Sequence, residues 1–214
     1  MTSTLPTRIC IVRHGETDWN AEKRLQGHID IPLNATGRSQ ASAAAQGLSA
    51  HCFSAIYSSD LGRARQTAEA AALRFGLPVT PEVGLRERHY GCLQGLTLDE
   101  AHQRHPEAHA YYRARDMHYD YSGGESLTAF ALRVTVTIER LAAEHPGETV
   151  LLVAHGGVLD IIYRRAAGRD LVSPRDFDVP NAALNWIDIG SGEWRLISWA
   201  DRRHLEQTML QAVE

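Results

Sequence analysis

The chain predicts an α/β fold: one three-layer domain whose mixed, mostly parallel sheet carries helices on both faces. Three observations lead there. Short apolar runs of strand length alternate with longer, alanine-rich segments of helical period. Two of those runs, Ile9-Cys10-Ile11-Val12 and Val150-Leu151-Leu152-Val153, read as buried strands. The last two apolar runs flank Gly190-Ser191-Gly192 and read as a hairpin, which adds an antiparallel piece to the sheet.

Taken in order, residues 8–13 form the first strand. Residues 36–50, with Thr36 as a candidate cap, form an alanine-rich helix. A strand over 54–58 is followed by a helix from an Asp60 cap to Phe75, which Gly76 ends. Pro78 to Val83 is a short extended segment, and residues 97–115 are an irregular helical region interrupted by Pro106. Gly123-Gly124 opens a long helix from about Glu125 to Glu144, closed by Pro146 and Gly147. A strand over 149–153 leads into a helix from Gly157 to Ala167, and strands over 184–189 and 194–199 complete the hairpin. No repeat, low-complexity segment or linker divides residues 1–214, so one domain is expected.

Composition narrows the function. The chain has 214 residues, 43% of them hydrophobic, enough for an ample core. Its net charge of −4 argues against general attraction to nucleic acid or an anionic membrane, so any anion site must be built from local cations. No apolar run has the length of a bilayer span, and Met1 to Thr7 lacks the apolar core of a secretion signal. Cys10, Cys52 and Cys92 are too few and too scattered for a disulfide framework or a zinc pattern; buried thiols in a reducing cytoplasm are the simplest reading.

The chemistry gathers at strand exits. The first strand runs into Arg13-His14-Gly15-Glu16-Thr17 and a later one into His155-Gly156-Gly157. A third runs into Ser58-Ser59-Asp60-Leu61-Gly62-Arg63, with Arg63 in the first turn of a helix. Ligands of open α/β sheets bind at the carboxyl ends of strands. Arginine forks and helix N-terminal N–H groups both suit phosphate, and Gly15 would let a ligand approach the backbone. Arg13, His14, Arg63 and His155 therefore predict a phosphoryl pocket.

The full set of segments resembles the histidine phosphatase superfamily, also called the phosphoglycerate mutase-like family. They are Arg13-His14-Gly15-Glu16-Thr17-Asp18-Trp19-Asn20, Leu25-Gln26-Gly27, Tyr57 to Ala68, Leu85-Arg86-Glu87-Arg88-His89-Tyr90-Gly91 and Ala154-His155-Gly156-Gly157, with a weaker echo at Pro180-Asn181-Ala182. The resemblance implies a phosphoglycerate mutase-like fold and a phosphohistidine formed on His14. Glu87 would be the general acid, and Arg13, Arg63 and His155 would hold the phosphoryl oxygens. It places Asn20, Gln26, Gly27, Arg88, Tyr90, Arg113 and Gly156 around the substrate. It implies no metal and no cofactor, with 2,3-bisphosphoglycerate needed only by a mutase. The partner is a small phosphorylated metabolite, and a homodimer fits the family.

Glu87 to Gly91 and Leu93-Gln94-Gly95-Leu96 are similar to the cofactor-dependent mutases. Other positions depart from them: Leu98 where mutases carry lysine, the spaced Arg113 and Arg115 in place of an adjacent arginine pair, and Gly157 where asparagine is common. Weaker cation provision for a second phosphate favours hydrolysis of small phosphomonoesters, with a bisphosphoglycerate-dependent mutase as the alternative. A catalytically silent binding module would lack some of Arg13, His14, Arg63, Glu87 and His155, and all five are present.

Plainer roles are expected elsewhere. Arg65 should meet solvent or a salt bridge, Glu16 is structural, and His102, His105 and His109 lie on a solvated face. Gly123 to Ser126 starts a helix, and Trp186, Trp194 and Trp199 pack the hairpin.

Overall fold

The computed structural model describes residues 5–206, so the expectations for residues 1–4 (part of the leader reading) and 207–214 lie outside the described residues. The strands are β1 (Thr7–Arg13), β2 (Ala55–Ser58), β3 (Val79–Pro81), β4 (Thr149–Ala154), β5 (Leu184–Gly190) and β6 (Glu193–Asp201). They form one sheet in the order β3-β2-β4-β1-β5-β6. Pairing is parallel from β3 through β1 and antiparallel across β1, β5 and β6. The mixed, mostly parallel sheet is therefore as expected.

The alternation of side chains explains why the central strands are apolar throughout. Ile9 and Ile11 of β1, Val150 and Leu152 of β4 and Ile187 of β5 face α6 (Leu127–Glu144) and α7 (Gly156–Ala166). Cys10, Val12, Leu151, Val153 and Ile56 face α2 (Ala35–Gly47) and α3 (Gly62–Phe75). α2 buries Gly37, Ala41, Ala43, Ala44 and Ala45, small residues that let backbones approach closely. At the tightest point a Cβ on Gly15 would stand 2.3 Å from the Gly37 carbonyl oxygen. Gly15 thus serves contact with the start of α2.

Helix starts differ from the sequence reading because their caps come from elsewhere. α2 is capped by Asn34, whose side chain accepts from the Gly37 N–H at 2.8 Å, and not by Thr36. Asp60 does not cap α3; its carboxylate binds Arg86. The N–H of Gly62 instead donates to Asp30, at 2.8 and 2.9 Å to its two oxygens. This carboxylate, 32 residues away in sequence, offsets the helix dipole beside Arg63. Ser126 caps α6, and α7 begins one residue early with His155 at its N-cap. Gly76 ends α3 in the left-handed conformation, as predicted.

A four-residue helix, α1 (Asp18–Ala21), is additional, and its capping box uses Thr17 and Asn20. Pro106 divides the irregular region into α4 (Leu98–Arg104) and α5 (Pro106–Ala114), sitting where its missing N–H costs nothing. Leu93, Leu96, Ala101, Ala108 and Tyr121 form a small separate core beneath these helices. Of the cysteines Cys10 is buried, but Cys52 is exposed, against expectation. Trp186 stacks on Phe53, and Trp199 meets Tyr163 edge-on. No helix among the described residues is long and apolar enough to cross a membrane.

Candidate active site

Strand order brings the three exits together. β4 lies between β1 and β2, with Arg13 opposite Ala154 and Ser58 opposite Val153. The chain therefore leaves all three strands at one level. His14 and His155 emerge as neighbours, their ring centroids 5.1 Å apart. The backbone of His14 is pinned on both sides: its N–H donates to Ala154 and its carbonyl accepts from the Asn181 side chain at 2.8 Å. The Gly15 N–H donates to Thr67 of α3, and the Ala182 N–H to the Arg13 carbonyl.

These contacts define the tautomer of His14. Its Nδ1 lies 2.7 Å from the Gly15 carbonyl oxygen, which can only accept, so Nδ1 carries the proton and the lone pair sits on Nε2. Burial first, then the Arg63 and Arg13 charges, hold this imidazole well below the ordinary histidine range. His155 is lowered likewise by burial, Arg63, His14 and Arg13. Its Nδ1 accepts from Arg63 Nε at 3.3 Å, which puts the His155 proton on Nε2. That Nε2 is buried and has no protein partner.

A stability prediction follows from two neutral imidazoles. In the unfolded chain both take up protons as pH falls through about 6.5, while the folded chain keeps them neutral. The unfolded state then binds more protons, so stability falls on acidification below that pH. Each imidazole contributes up to about 1.4 kcal/mol per pH unit, until its folded form also titrates. Above about pH 7.5 the effect vanishes. Denaturant midpoints at pH 7.5, 6.5 and 5.5 should decline in that order; a flat or rising series would contradict neutral, buried His14 and His155.

Arg63 is fully buried. It donates to the Ile29 and Gly27 carbonyls at 2.9 and 2.8 Å, and desolvation lowers its pKa to about 10, so it stays charged at neutral pH. Arg13 donates to the Val179 carbonyl at 2.7 Å, but its Nε is buried and unpartnered. Neither guanidinium is within ion-pair distance of a carboxylate among the described residues. Two desolvated cations beside buried N–H groups that lack acceptors cost free energy unless an anion completes them.

Glu87 reaches the same place from the loop after β3. Its Oε1 accepts from the Arg88 N–H at 2.8 Å and its Oε2 from the Gly157 N–H at 2.9 Å. Several groups hold this loop. His28 Nε2 donates to the Glu87 carbonyl at 2.8 Å. Arg133 donates to the carbonyls of Gly84, Arg86 and Glu87 and pairs with Glu125, which accepts from the His89 N–H. A Cβ on Gly124 would meet the His89 carbonyl oxygen at 2.4 Å. The glycine-rich segment thus packs against the loop that carries Glu87.

The expected substrate residues divide. Arg88, Tyr90 and Arg113 line one cavity of about 390 Å³ with Gly157, Tyr112 and Arg175. Arg88 is buried, bonded to the Glu125 carbonyl and stacked over Tyr121. Gln26 is buried with an unpartnered Oε1, and the Gly27 carbonyl is occupied by Arg63. Asn20 Oδ1 closes the α1 capping box, which gives this side chain a structural duty. Gly156 opens α7 beside Arg13.

Sequence reading missed Asp30, His28, Arg133, Asp160 and Arg175. Asp160 is buried among Arg115, Arg164 and Arg175 and anchors the last at the cavity wall. Only the periodicity of α7, which turns Asp160 inward, carried any local signal. Arg65 pairs with Glu69 on the surface and Glu16 accepts from Asn34, both as expected. Among the described residues no group of three or more histidine, cysteine or carboxylate side chains is arranged to hold a metal ion, and His102 simply meets His109 edge-on.

Paired imidazoles beside two guanidinium groups that make no ion-pair contact among the described residues, at the carboxyl edge of an α/β sheet, define an oxyanion-handling enzyme of the phosphoryl-transfer class. Residues 9–202 match the model of the histidine phosphatase superfamily (branch 1), and the chain belongs to that family. It is 41% identical over 205 residues to phosphoglycerate mutase-like protein 4 of Arabidopsis thaliana, covering 94% of this chain and 87% of that one. It is also 41% identical over 207 residues to a metal-independent phosphoserine phosphatase of the same plant, covering 93% and 83%. Among solved structures, Bacillus stearothermophilus YhfR superposes with a TM-score of 0.84 at 32% identity, covering 93% of this chain and 99% of the other.

Proposed function

We propose that this protein hydrolyses small phosphomonoesters by two successive in-line transfers through His14. In the first, His14 Nε2 attacks phosphorus, the ester P–O bond breaks, and Glu87 delivers a proton to the departing oxygen. In the second, the Glu87 carboxylate takes a proton from water, whose oxygen attacks phosphorus. The P–N bond breaks, releasing inorganic phosphate and restoring His14. Arg13, Arg63, His155 Nε2–H and the Gly156 N–H at the start of α7 bind the equatorial oxygens and stabilise their charge.

One observation carries this reading: two buried donors, Arg13 Nε and His155 Nε2, lack acceptors beside an imidazole whose lone pair lies on Nε2. A tetrahedral oxyanion satisfies both. The metal-independent phosphoserine phosphatase among the relatives supports hydrolysis, with side-chain cations in the place of a metal. Arg88, Arg113 and Arg175 around the adjoining cavity suit a leaving group that bears its own anionic substituent.

A bisphosphoglycerate-dependent mutase is the second reading, favoured by the Glu87 to Gly91 segment and by the mutase-like relative. The test is to incubate 3-phosphoglycerate with and without 2,3-bisphosphoglycerate, beside a panel including O-phosphoserine. Phosphate release without isomerisation is the expected result. Isomerisation that depends on the bisphosphate would overturn the hydrolase reading.

A further inference from the structure

We infer that Arg175, clamped by Asp160, selects a leaving group that carries a carboxylate close to the ester oxygen. The inference rests on the hydrolase reading and deepens it: the leaving group occupies the cavity beside Glu87, and one residue on the wall reads its substituent. The place of that cavity follows from α7. Gly157, whose N–H holds the Glu87 carboxylate at 2.9 Å, lines it, and so does Asp160 three residues on. These two positions are separated by about 4.5 Å of helix axis, the scale of a leaving group a few carbons long.

The arginines around this cavity differ in what they have left to give. Arg88 is buried, with Nε on the Glu125 carbonyl at 2.9 Å and an Nη on the Tyr119 carbonyl at 3.4 Å. Arg115 is spent on the Leu171 carbonyl at 2.7 Å and on Asp160 at 2.6 Å. Arg113 is exposed, and no hydrogen bond or ion pair among the described residues holds its fork. Arg175 is fixed at one end and open at the other. Its Nε donates to Asp160 Oδ1 at 3.0 Å, while neither Nη bonds to protein among the described residues. Asp160 is buried and held in turn by Arg164, which also donates to the Asp170 and Ser173 carbonyls at 2.6 and 2.9 Å, in the segment leading to Arg175. A fork oriented in advance loses little entropy on taking a ligand, and its paired N–H groups match a carboxylate. The charge is also felt in the phosphoryl pocket: burial lowers the Arg13 pKa, Glu87 opposes this, and Arg175 adds to the lowering. One open fork suits one further anion of single charge.

Matched substrates isolate the contact. O-phosphoserine and O-phosphoethanolamine differ by one carboxylate; 3-phosphoglycerate and glycerol 3-phosphate differ by a carboxylate replaced with a hydroxymethyl group. The parent should favour the carboxylate member of each pair in kcat/KM. Arg175→Gln is expected to lower kcat/KM for the carboxylate members about 30-fold, most of it as a rise in KM, while changing the other members less than about 3-fold. Arg175→Lys keeps the charge without the fork and should fall between. Asp160 retains Arg115 and Arg164 in both variants, so thermal melting should match the parent. Binding of O-phosphoserine and O-phosphoethanolamine is measured as well in a His14→Ala background, with and without Arg175→Gln, where no turnover is required. The same selective loss of affinity is expected there. No preference for the carboxylate member in the parent, no loss in Arg175→Gln, or equal losses for both members would overturn the role of Arg175. A parent that releases phosphate from none of the four substrates would overturn the hydrolase reading instead, and the binding comparison would still decide Arg175.

Discussion

His14→Ala is expected to abolish turnover, with kcat reduced by about 10⁴-fold or more on every phosphomonoester the protein accepts. The size follows from covalent catalysis: among the described residues, no other side chain at the site combines an accessible lone pair with a position among both arginines. His155 is the nearest imidazole, but its Nδ1 faces Arg63 and its Nε2 carries a proton. It can donate to a phosphoryl oxygen but cannot attack phosphorus in that tautomer. The wild-type protein, quenched during turnover, should yield phosphate that is labile to acid and stable to base, with a ³¹P shift typical of phosphohistidine. The variant should yield none. Turnover within about tenfold of the parent would remove His14 from the mechanism altogether.

Arg63→Met should produce the second largest loss, about 10³-fold in kcat/KM, and should also change how His14 titrates. Arg63 is the foremost charge, after burial, in holding the His14 pKa down. Removing a positive charge favours imidazolium, so the pKa must rise, and the unprotonated fraction at a given acidic pH must fall. An NMR titration of His14 should therefore show its midpoint at higher pH in Arg63→Met than in the parent. An unmoved midpoint would mean that the Arg63 charge plays no part in setting it. Stability should change less than catalysis. The variant releases a desolvated cation, but it strips the Gly27 and Ile29 carbonyls of donors, a cost of about 1–3 kcal/mol for buried groups. Arg63→Lys keeps charge without the planar fork and should fall between the two.

Most of the catalytic set was legible along the chain, because its members stand where local patterns change. His14 and His155 each follow an apolar strand run and precede glycine, while Arg63 opens a helix. Such punctuation is visible in one dimension. Glu87 was legible through family resemblance, since a glutamate between two arginines looks locally like a surface ion pair. The structure gives those arginines other partners, Asp60 for Arg86 and the Glu125 carbonyl for Arg88.

Supporting residues left no such mark. Asp30 caps a helix 32 residues further on, Arg133 holds a loop 46 to 49 residues before it, and Arg175 meets a carboxylate on α7. Each acts through a contact between segments far apart in the chain, and residue type alone does not reveal the partner.

By itself, then, the sequence determined which segments are strands, that the sheet is mixed, and which imidazoles and arginines leave the strand ends, because hydrophobic periodicity and glycine punctuation are local properties of the chain. Tertiary structure alone decided that β4 lies between β1 and β2. That ordering sets the two imidazoles side by side and desolvates the cations around them. Proximity, burial and steric exclusion are relations between segments, and they exist only once the sheet has been assembled.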